Sequence, residues 1–191
     1  MHEQQPHEHE HEPRLRPRIW VGSLSDYNAG RLHGEWIDAA VDTDTLNESV
    51  RAILAASPDP GAEEFAIFDY DEFGSYRPDE YEPLDHVARV ARGIAEHGPA
   101  FAAFAYLHDG TPDFLDGFSD AYMGHFTSGE DWARETIGDL DLEKQLDEAV
   151  PAALRGYVQI DYEGWARDAQ ISGDVAVEDA DDGGVWVFRS I

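Results

Sequence analysis

Residues 18–68 read RIWVGSLSDYNAGRLHGEWIDAAVDTDTLNESVRAILAASPDPGAEEFAIF, and this stretch decides the fold class because it alternates strand and helix signals. The run from Arg18 to Gly22 is rich in β-branched and aromatic residues and ends in a turn signal, which predicts a first strand. Residues 32–37 and 65–68 predict a second and a third strand on the same grounds.

A helix is predicted between the second and third strands. Thr45 and Glu48 have the spacing of a capping box, in which a hydroxyl and a carboxylate satisfy free backbone donors at a helix start. The apolar residues that follow recur at helical spacing and form one face: Leu46, Val50, Ile53 and Leu54. Pro and Gly at 57–61 end the helix, so the stretch predicts a small α+β unit.

The middle of the chain predicts two packed helices. Residues 84–94 carry an amphipathic stripe, and the Gly and Pro at 98–99 separate it from a segment over 99–107 that is apolar nearly all round. The final third returns to mixed structure. Its predicted elements are a strand at 118–126, a helix capped by Thr127 and Ser128, a weak helix over 140–154, a helix at 161–169 with Trp165 facing inward, and a hairpin of 175–177 and 185–188.

The fold class predicted from this order is α+β, with mixed α/β ends around a helical middle. The predicted division is a disordered His/Glu-rich tail at 1–17, an N-terminal α+β domain at 18–75, a helical middle domain at 76–110 and a C-terminal α+β domain at 111–191. The large side chains expected to be buried are Trp20, Trp36, Phe101, Phe104, Trp165 and Phe188.

The charge of the chain is its strongest functional signal. It holds 41 Asp and Glu against 13 Lys and Arg, a formal net charge of −28 in 191 residues. Aromatic residues make up 12% of the chain, which favours a folded protein with an acidic surface over an acidic disordered chain. Two explanations of the charge are open: a surface that imitates a polyanion, or adaptation to high salt.

Several function classes are disfavoured by composition. The chain has no Cys, which excludes disulfides and thiolate metal sites, and it has a single lysine, Lys144, so direct binding of nucleic acid is disfavoured. No apolar stretch approaches the ~20 residues of a membrane span, and the start lacks the pattern of a signal peptide, so we expect a cytoplasmic protein.

No catalytic constellation stands out. Residues 117–121 lack the second Gly of a nucleophile elbow, and His86 with His97 on one helix is a weak metal signal. We therefore expect a protein that is not an enzyme and needs no metal or cofactor. An unrecognised carboxylate-metal hydrolase in a salt-adapted acidic protein is the alternative.

The distribution of acids favours a polyanion mimic. Residues 59–82 hold nine acids and one base, residues 109–148 twelve and two, and residues 161–182 eight and one. Outside residues 1–18 there are 37 acids, so a dimer would carry 74. If about half of them line one surface, roughly 37 charges match about 60 Å of duplex DNA, at one charge per about 1.7 Å.

Particular residues then suggest a family. The opening at 17–24, with Tyr27-Asn28 and Gly34-x-Trp36-Ile37-Asp38, resembles the start of ArdA-type antirestriction proteins. The stretch Phe118-x-Asp120-Ala121-Tyr122-x-Gly124 is similar to that family's antirestriction motif, and residues 160–168 and 187–189 also match. The resemblance covers about residues 17–189.

The resemblance implies a non-enzymatic DNA mimic that blocks the basic DNA-binding groove of type I restriction–modification complexes. It also implies three small stacked domains, an elongated shape and a homodimer. We give the name acidic strip to the carboxylates expected to imitate phosphates in this reading: Asp116, Asp120, Glu130, Asp131, Glu135, Asp139, Asp141, Glu143, Asp147 and Glu148.

Overall fold

The structure, a computed structural model, describes residues 15–138 and 140–190. It has the predicted α+β class, with helices and two small antiparallel sheets. The chain forms two compact units, one ending at Leu115 and one beginning at Asp116. Within the described ranges, no helix is both long and apolar enough to cross a bilayer.

The first unit contains the three predicted strands as one sheet. β1 (Arg18–Ser23) lies between β2 (Gly34–Asp38) and β3 (Phe65–Asp71), and both pairings are antiparallel. Ile19 and Val21 point from β1 into the core and are fully buried. A short helix, α1 (Leu24–Asn28), follows β1 directly. The sheet extends its contacts to Pro17, the last residue of the predicted tail, whose carbonyl accepts from the Ala39 N–H at 2.9 Å.

The first long helix, α2 (Thr43–Ala55), begins three residues before the predicted start, because its N-cap is Asp42 and not Thr45. Its cap is Asp42, which accepts from the Thr45 N–H at 2.9 Å and from the Thr45 hydroxyl at 2.6 Å. The capping box predicted at Thr45 and Glu48 was therefore wrong, because Thr45 is the third residue of the helix and its N–H is capped by Asp42. Hydrogen bonds from the Thr45 hydroxyl and backbone lower the pKa of Asp42. The predicted apolar face is confirmed at Leu46, Val50 and Ile53, which are buried.

The helical middle is also confirmed. α3 (Leu84–His97) and α4 (Pro99–Leu107) are separated by Gly98, whose φ of 75° suits glycine. Leucine, valine and isoleucine of the α3 stripe are buried, as are the Phe residues of α4. A short helix, α5 (Pro112–Leu115), ends the unit. Residues 18–75 and 76–110 both fall in this unit, and their division into two domains stays a prediction.

A buried carboxylate joins α1 to the end of α2. Asp26 is fully buried and accepts hydrogen bonds from the Ser57 hydroxyl and from Arg31 Nε, the latter at 2.8 Å. The Ser57 hydrogen bond is the main cause that lowers the pKa of Asp26 from 3.8 to about 2; burial opposes it, and the Arg31 guanidinium adds to it. The ionised carboxylate is therefore the form that the fold stabilises.

We expect this contact to make stability depend on pH in one direction. In the unfolded chain Asp26 takes up its proton near pH 4, before it does so in the folded protein, so its contribution is present above that pH and is lost as the pH falls toward 2. Asp26→Asn should lower the free energy of unfolding at neutral pH, and its difference from wild type should shrink between pH 4 and 2. Urea denaturation followed by circular dichroism measures both; a difference that is constant over this range would contradict the assignment.

The second unit contains the other sheet. Residues 118–121, predicted as part of a strand, instead form α6 (Phe118–Ala121), and the strand β4 (Tyr122–Phe126) begins after it. The helical turn packs Phe118 and Ala121 inward, which an extended backbone would not do for both. The remaining elements are α7 (Gly129–Gly138), α8 (Leu142–Ala149), a 3₁₀ turn (Arg155–Tyr157), α9 (Tyr162–Ile171), β5 (Val175–Asp179) and β6 (Val185–Arg189).

β6 is the central strand of the second sheet, with β4 and β5 at its edges. The predicted hairpin is confirmed as the β5–β6 pair, and Gly183 in its turn has a φ of 88°. Helices α7 and α9 pack on this sheet through Trp132, Ala166 and Val187.

The predicted buried aromatics are confirmed in part. Phe101, Phe104 and Phe188 are buried, but Trp36 is 43% and Trp165 38% exposed, and Trp20 is half-buried. Trp36 lies on an edge strand, on the sheet face opposite the core. On α9 the inward positions are taken by Tyr162 and Ala166, so Trp165 lies beside Trp132 with ring centroids 5.1 Å apart.

Candidate functional site

The predicted acidic strip is carried by successive elements of the second unit. Asp116 precedes α6 and Asp120 lies on it, three members lie on α7, and four lie at the start of α8 or along it. The described members are exposed, except for Asp131, which is half-buried. Asp139 lies outside the described residues. The strip is thus borne mainly by two helices joined by a short connection.

Two kinds of local contact fix the α7 carboxylates. The Ser128 hydroxyl accepts from the Asp131 N–H at 3.1 Å, which confirms the predicted cap. Asp131 in turn accepts from the Thr127 hydroxyl at 3.0 Å, so its carboxylate is turned back toward the helix start. Asp131 therefore stabilises α7 as well as adding charge.

Arg134 lies among the strip carboxylates and organises them. Its guanidinium donates to Glu130 Oε1 at 2.8 Å on its own helix and to Glu143 Oε1 at 3.5 Å on α8. It also lies 4.4 Å from the centre of the Tyr162 ring on α9. One cation thus links α7, α8 and α9, and it holds two carboxylates of the strip in place.

Tyr162 completes this arrangement. Its hydroxyl donates to Glu143 Oε1 at 3.3 Å, and its ring is buried in the core of the unit. Burial is the main cause that raises the pKa of Tyr162, with the Glu143 charge and hydrogen bond next and Arg134 opposing. The hydroxyl therefore stays a donor to Glu143 at neutral pH.

These side chains border an open cleft of about 660 Å³. Its carboxylates come from Glu130 and Glu143, from Asp147, and from Asp161 and Glu163 at the start of α9. Asp161 also caps α9 by accepting from the Gly164 N–H at 2.8 Å. Asp161 and Glu163 are outside the predicted strip, although they lie in the third acidic segment of the sequence, residues 161–182.

The motif residues at 118–124 serve mainly to build the unit. The rings of Phe118 and Tyr122 are stacked with centroids 5.2 Å apart, and Tyr122 lies 5.7 Å from Phe188 on β6. The β4–β6 register shifts between Tyr122 and Gly124, whose φ of 139° suits glycine. Asp120 is the exposed, charged member of the motif.

A family model for antirestriction protein (ArdA) matches residues 19–181 of the chain. The chain belongs to the ArdA antirestriction family. No curated protein matches the chain. The family match contains every residue of the acidic strip and ends before β6, although β6 is the central strand of the second sheet.

The two histidines that were a weak metal signal in this ArdA family member have structural partners. His86 Nδ1 lies 2.8 Å from Glu82, and its Nε2 faces the Gly110 carbonyl. His97 stacks on Phe101 with ring centroids 5.7 Å apart. Among the residues that the structure describes, no three His, Asp or Glu side chains are grouped so that they could hold a metal ion.

Proposed function

We propose that this protein inhibits type I restriction–modification enzymes by placing its acidic strip in their DNA-binding groove. The observation that carries the proposal is the display of exposed carboxylates along α6, α7 and α8, within a chain of net charge −28 that belongs to an antirestriction family. A groove that holds DNA is lined by Lys and Arg, and a dense row of carboxylates satisfies the same cations as a row of phosphates.

The contacts of Arg134 support this role although Arg134 is itself a cation. A flexible Glu side chain loses rotamer freedom when a partner immobilises it, and that loss weakens binding. Glu130 and Glu143 have already lost part of this freedom in the free protein, because Arg134 and Tyr162 hold them. Arg134 therefore removes one unit from the negative charge of the strip, but it holds Glu130 and Glu143 in fixed positions for a partner.

The finer features of the proposal follow the family resemblance and the charge. We propose a cytoplasmic homodimer that binds no nucleic acid and uses no cofactor. Dimerisation doubles the length of duplex whose charge the protein can imitate, to about two turns. In this mechanism no bond is made or broken, so inhibition is a matter of occupancy.

A titration of restriction activity tests the proposal. We expect DNA cleavage by a type I enzyme to fall to zero near molar equivalence with the enzyme, and the titration curve to shift as more DNA is added, because the two compete for one groove. Cleavage that is unaffected at large molar excess across several type I enzymes would contradict the proposal. Inhibition far below equivalence would instead indicate turnover, as the hydrolase alternative requires.

A further inference from the structure

The outer face of the first sheet carries large aromatic side chains. Trp20 on β1 is paired in register with Trp36 on β2, and both lie on the face opposite the buried Ile19 and Val21. The next pair on this outer face is Gly22 with Gly34. On this face, one cross-strand pair thus carries two indole rings and the next pair has no side chains.

The two glycines form a floor for the Trp20 ring. A Cβ at Gly22 would come within 2.7 Å of Trp20 Cζ3, and a Cβ at Gly34 within 2.6 Å of Trp20 Cη2. Real Cβ atoms do not approach other atoms so closely, so the ring lies flat against the sheet only because both positions are glycine. The Trp20 side chain is half-buried in this position.

Other aromatic rings extend this surface. Phe68 on β3 meets Trp20 edge-on with centroids 5.6 Å apart, and Tyr27 on α1 lies 4.8 Å from Phe68. Trp36 is 43% and Tyr27 57% exposed. We name these four residues, Trp20, Tyr27, Trp36 and Phe68, the aromatic platform. Clustered exposed aromatics of this kind mark protein interfaces, since Trp and Tyr provide much of the binding energy there.

The platform already holds one cation. The Arg18 guanidinium lies 5.3 Å from the centre of the Trp36 ring and also pairs with Asp71. Exposed carboxylates lie at the cross-strand neighbours of these residues, Asp38 opposite Arg18 and Asp69 opposite Trp20. Ring faces bordered by carboxylates suit a guanidinium, which stacks on the ring and donates to the acid at its edge.

We propose that the aromatic platform is a second docking surface, which binds arginine side chains on the surface of a partner protein. The acidic strip attracts cations through charge alone, whereas the platform distinguishes arginine from lysine, because the planar, weakly hydrated guanidinium stacks better than an ammonium group. A second copy of the chain is a poor occupant, since it would bring the same acidic border against this one. The inference stands on the first unit alone and does not depend on the proposed antirestriction mechanism.

Indole ¹⁵N–¹H spectra of the full protein test this inference. The probes are a short peptide of alternating Arg and Ser and its Lys counterpart of equal length and charge, added near 1 M salt, where the screening length is about 3 Å. We expect the Arg peptide to shift the Trp20 and Trp36 signals in a saturable way and the Lys peptide to shift them much less. The signal of Trp165, which is 38% exposed but lies in the second unit, should not shift and serves as the internal control.

Variants make the test decisive. Trp36→Gln should weaken binding of the Arg peptide roughly two- to fivefold, the value of one exposed cation–π contact, and Trp165→Gln should leave it unchanged. Tyr27→Ser, on α1 beyond the sheet, is the second variant if Trp36→Gln fails to fold. The proposal would be overturned by equal signal shifts with both peptides or by unchanged peptide binding in both platform variants. It would also be overturned if the Trp20 and Trp36 signals shifted with protein concentration in the absence of peptide, which would show self-association at this face.

Discussion

A variant with six strip acids replaced by their amides should inhibit restriction about 100-fold more weakly than wild type. The expected size follows from about 0.5 kcal/mol for each screened surface charge, so six changes amount to about 3 kcal/mol. Single replacements should have little measurable effect for the same reason. The loss should grow in a graded way as replacements are added.

The structure decides which acids to replace. Asp131 fixes the start of α7, and Glu130 with Glu143 holds Arg134. Replacing any of these three would change the stability of the fold as well as the charge, and the two effects on inhibition could not be separated. The strip members chosen for replacement are the other six described ones, all of which are exposed: Asp116, Asp120, Glu135, Asp141, Asp147 and Glu148. The matched control replaces six exposed acids of the first unit: Glu35, Asp44, Glu48, Glu63, Glu64 and Glu96.

Inhibition titrations at several salt concentrations compare the two variants, each of which loses six of the 28 net negative charges. We expect the strip variant to bind more weakly and with a flatter salt dependence, because complementary charges are screened over about 10 Å at 0.1 M salt. Both variants should stay folded, since fewer like charges reduce self-repulsion. Equal losses in both variants would mean that total charge matters and its position does not. Salt adaptation would be favoured if the wild-type protein were unfolded below 0.1 M salt and the strip variant still inhibited restriction fully.

Gly34→Ala should strongly destabilise the first sheet. A Cβ at this position would run into the Val21 carbonyl oxygen and the Trp20 ring, and the carbonyl belongs to the central strand and cannot move away. Forcing extra atoms into a packed site typically costs 1–3 kcal/mol. We expect a loss of about 3 kcal/mol in the free energy of unfolding, at the upper end of this range because backbone is involved.

Urea denaturation of the variant, followed by tryptophan fluorescence, measures this loss. Gly61→Ala is the control in the same unit, since a Cβ there would meet its nearest atom, Asp59 Oδ1, at an ordinary 3.4 Å. That variant should unfold at nearly the wild-type urea concentration. If the Gly34→Ala variant had wild-type stability, the sheet would be able to shift at this point, and the position of the Trp20 ring would not require glycine at residue 34.

The elements that could be predicted from sequence are those with a strong local pattern. The α3 stripe repeats its apolar residues over about three turns, and Gly98 with Pro99 marks the boundary to α4, so both helices were placed correctly. The start of α2 was misplaced because Asp42 and Thr45 are both good capping residues, and only backbone geometry shows which of them precedes the helix. The turn at 118–121 was missed because a run of aromatic and small residues fits a strand or one helical turn equally well.

The long-range contacts of the candidate site left no local signal. The spacing of Glu130 and Arg134 already predicts an ion pair on one helix. Nothing in the sequence joins Arg134 to Glu143 or Tyr162, since that contact depends on how α7, α8 and α9 meet. Likewise, hydrophobicity predicted that Trp36 would be buried, but its strand lies at a sheet edge and its side chain on the outer face.

The central position of β6 has a consequence for biosynthesis. β4 ends at Phe126 and its partner begins at Val185, so 59 residues must be added by the ribosome before the second sheet can form. At about 5–20 residues per second this takes about 3 to 12 s. Helices α7, α8 and α9 all emerge during that interval, without the sheet against which α7 and α9 pack. The nascent chain therefore presents its acidic helices on a finished sheet only after Arg189 has been translated.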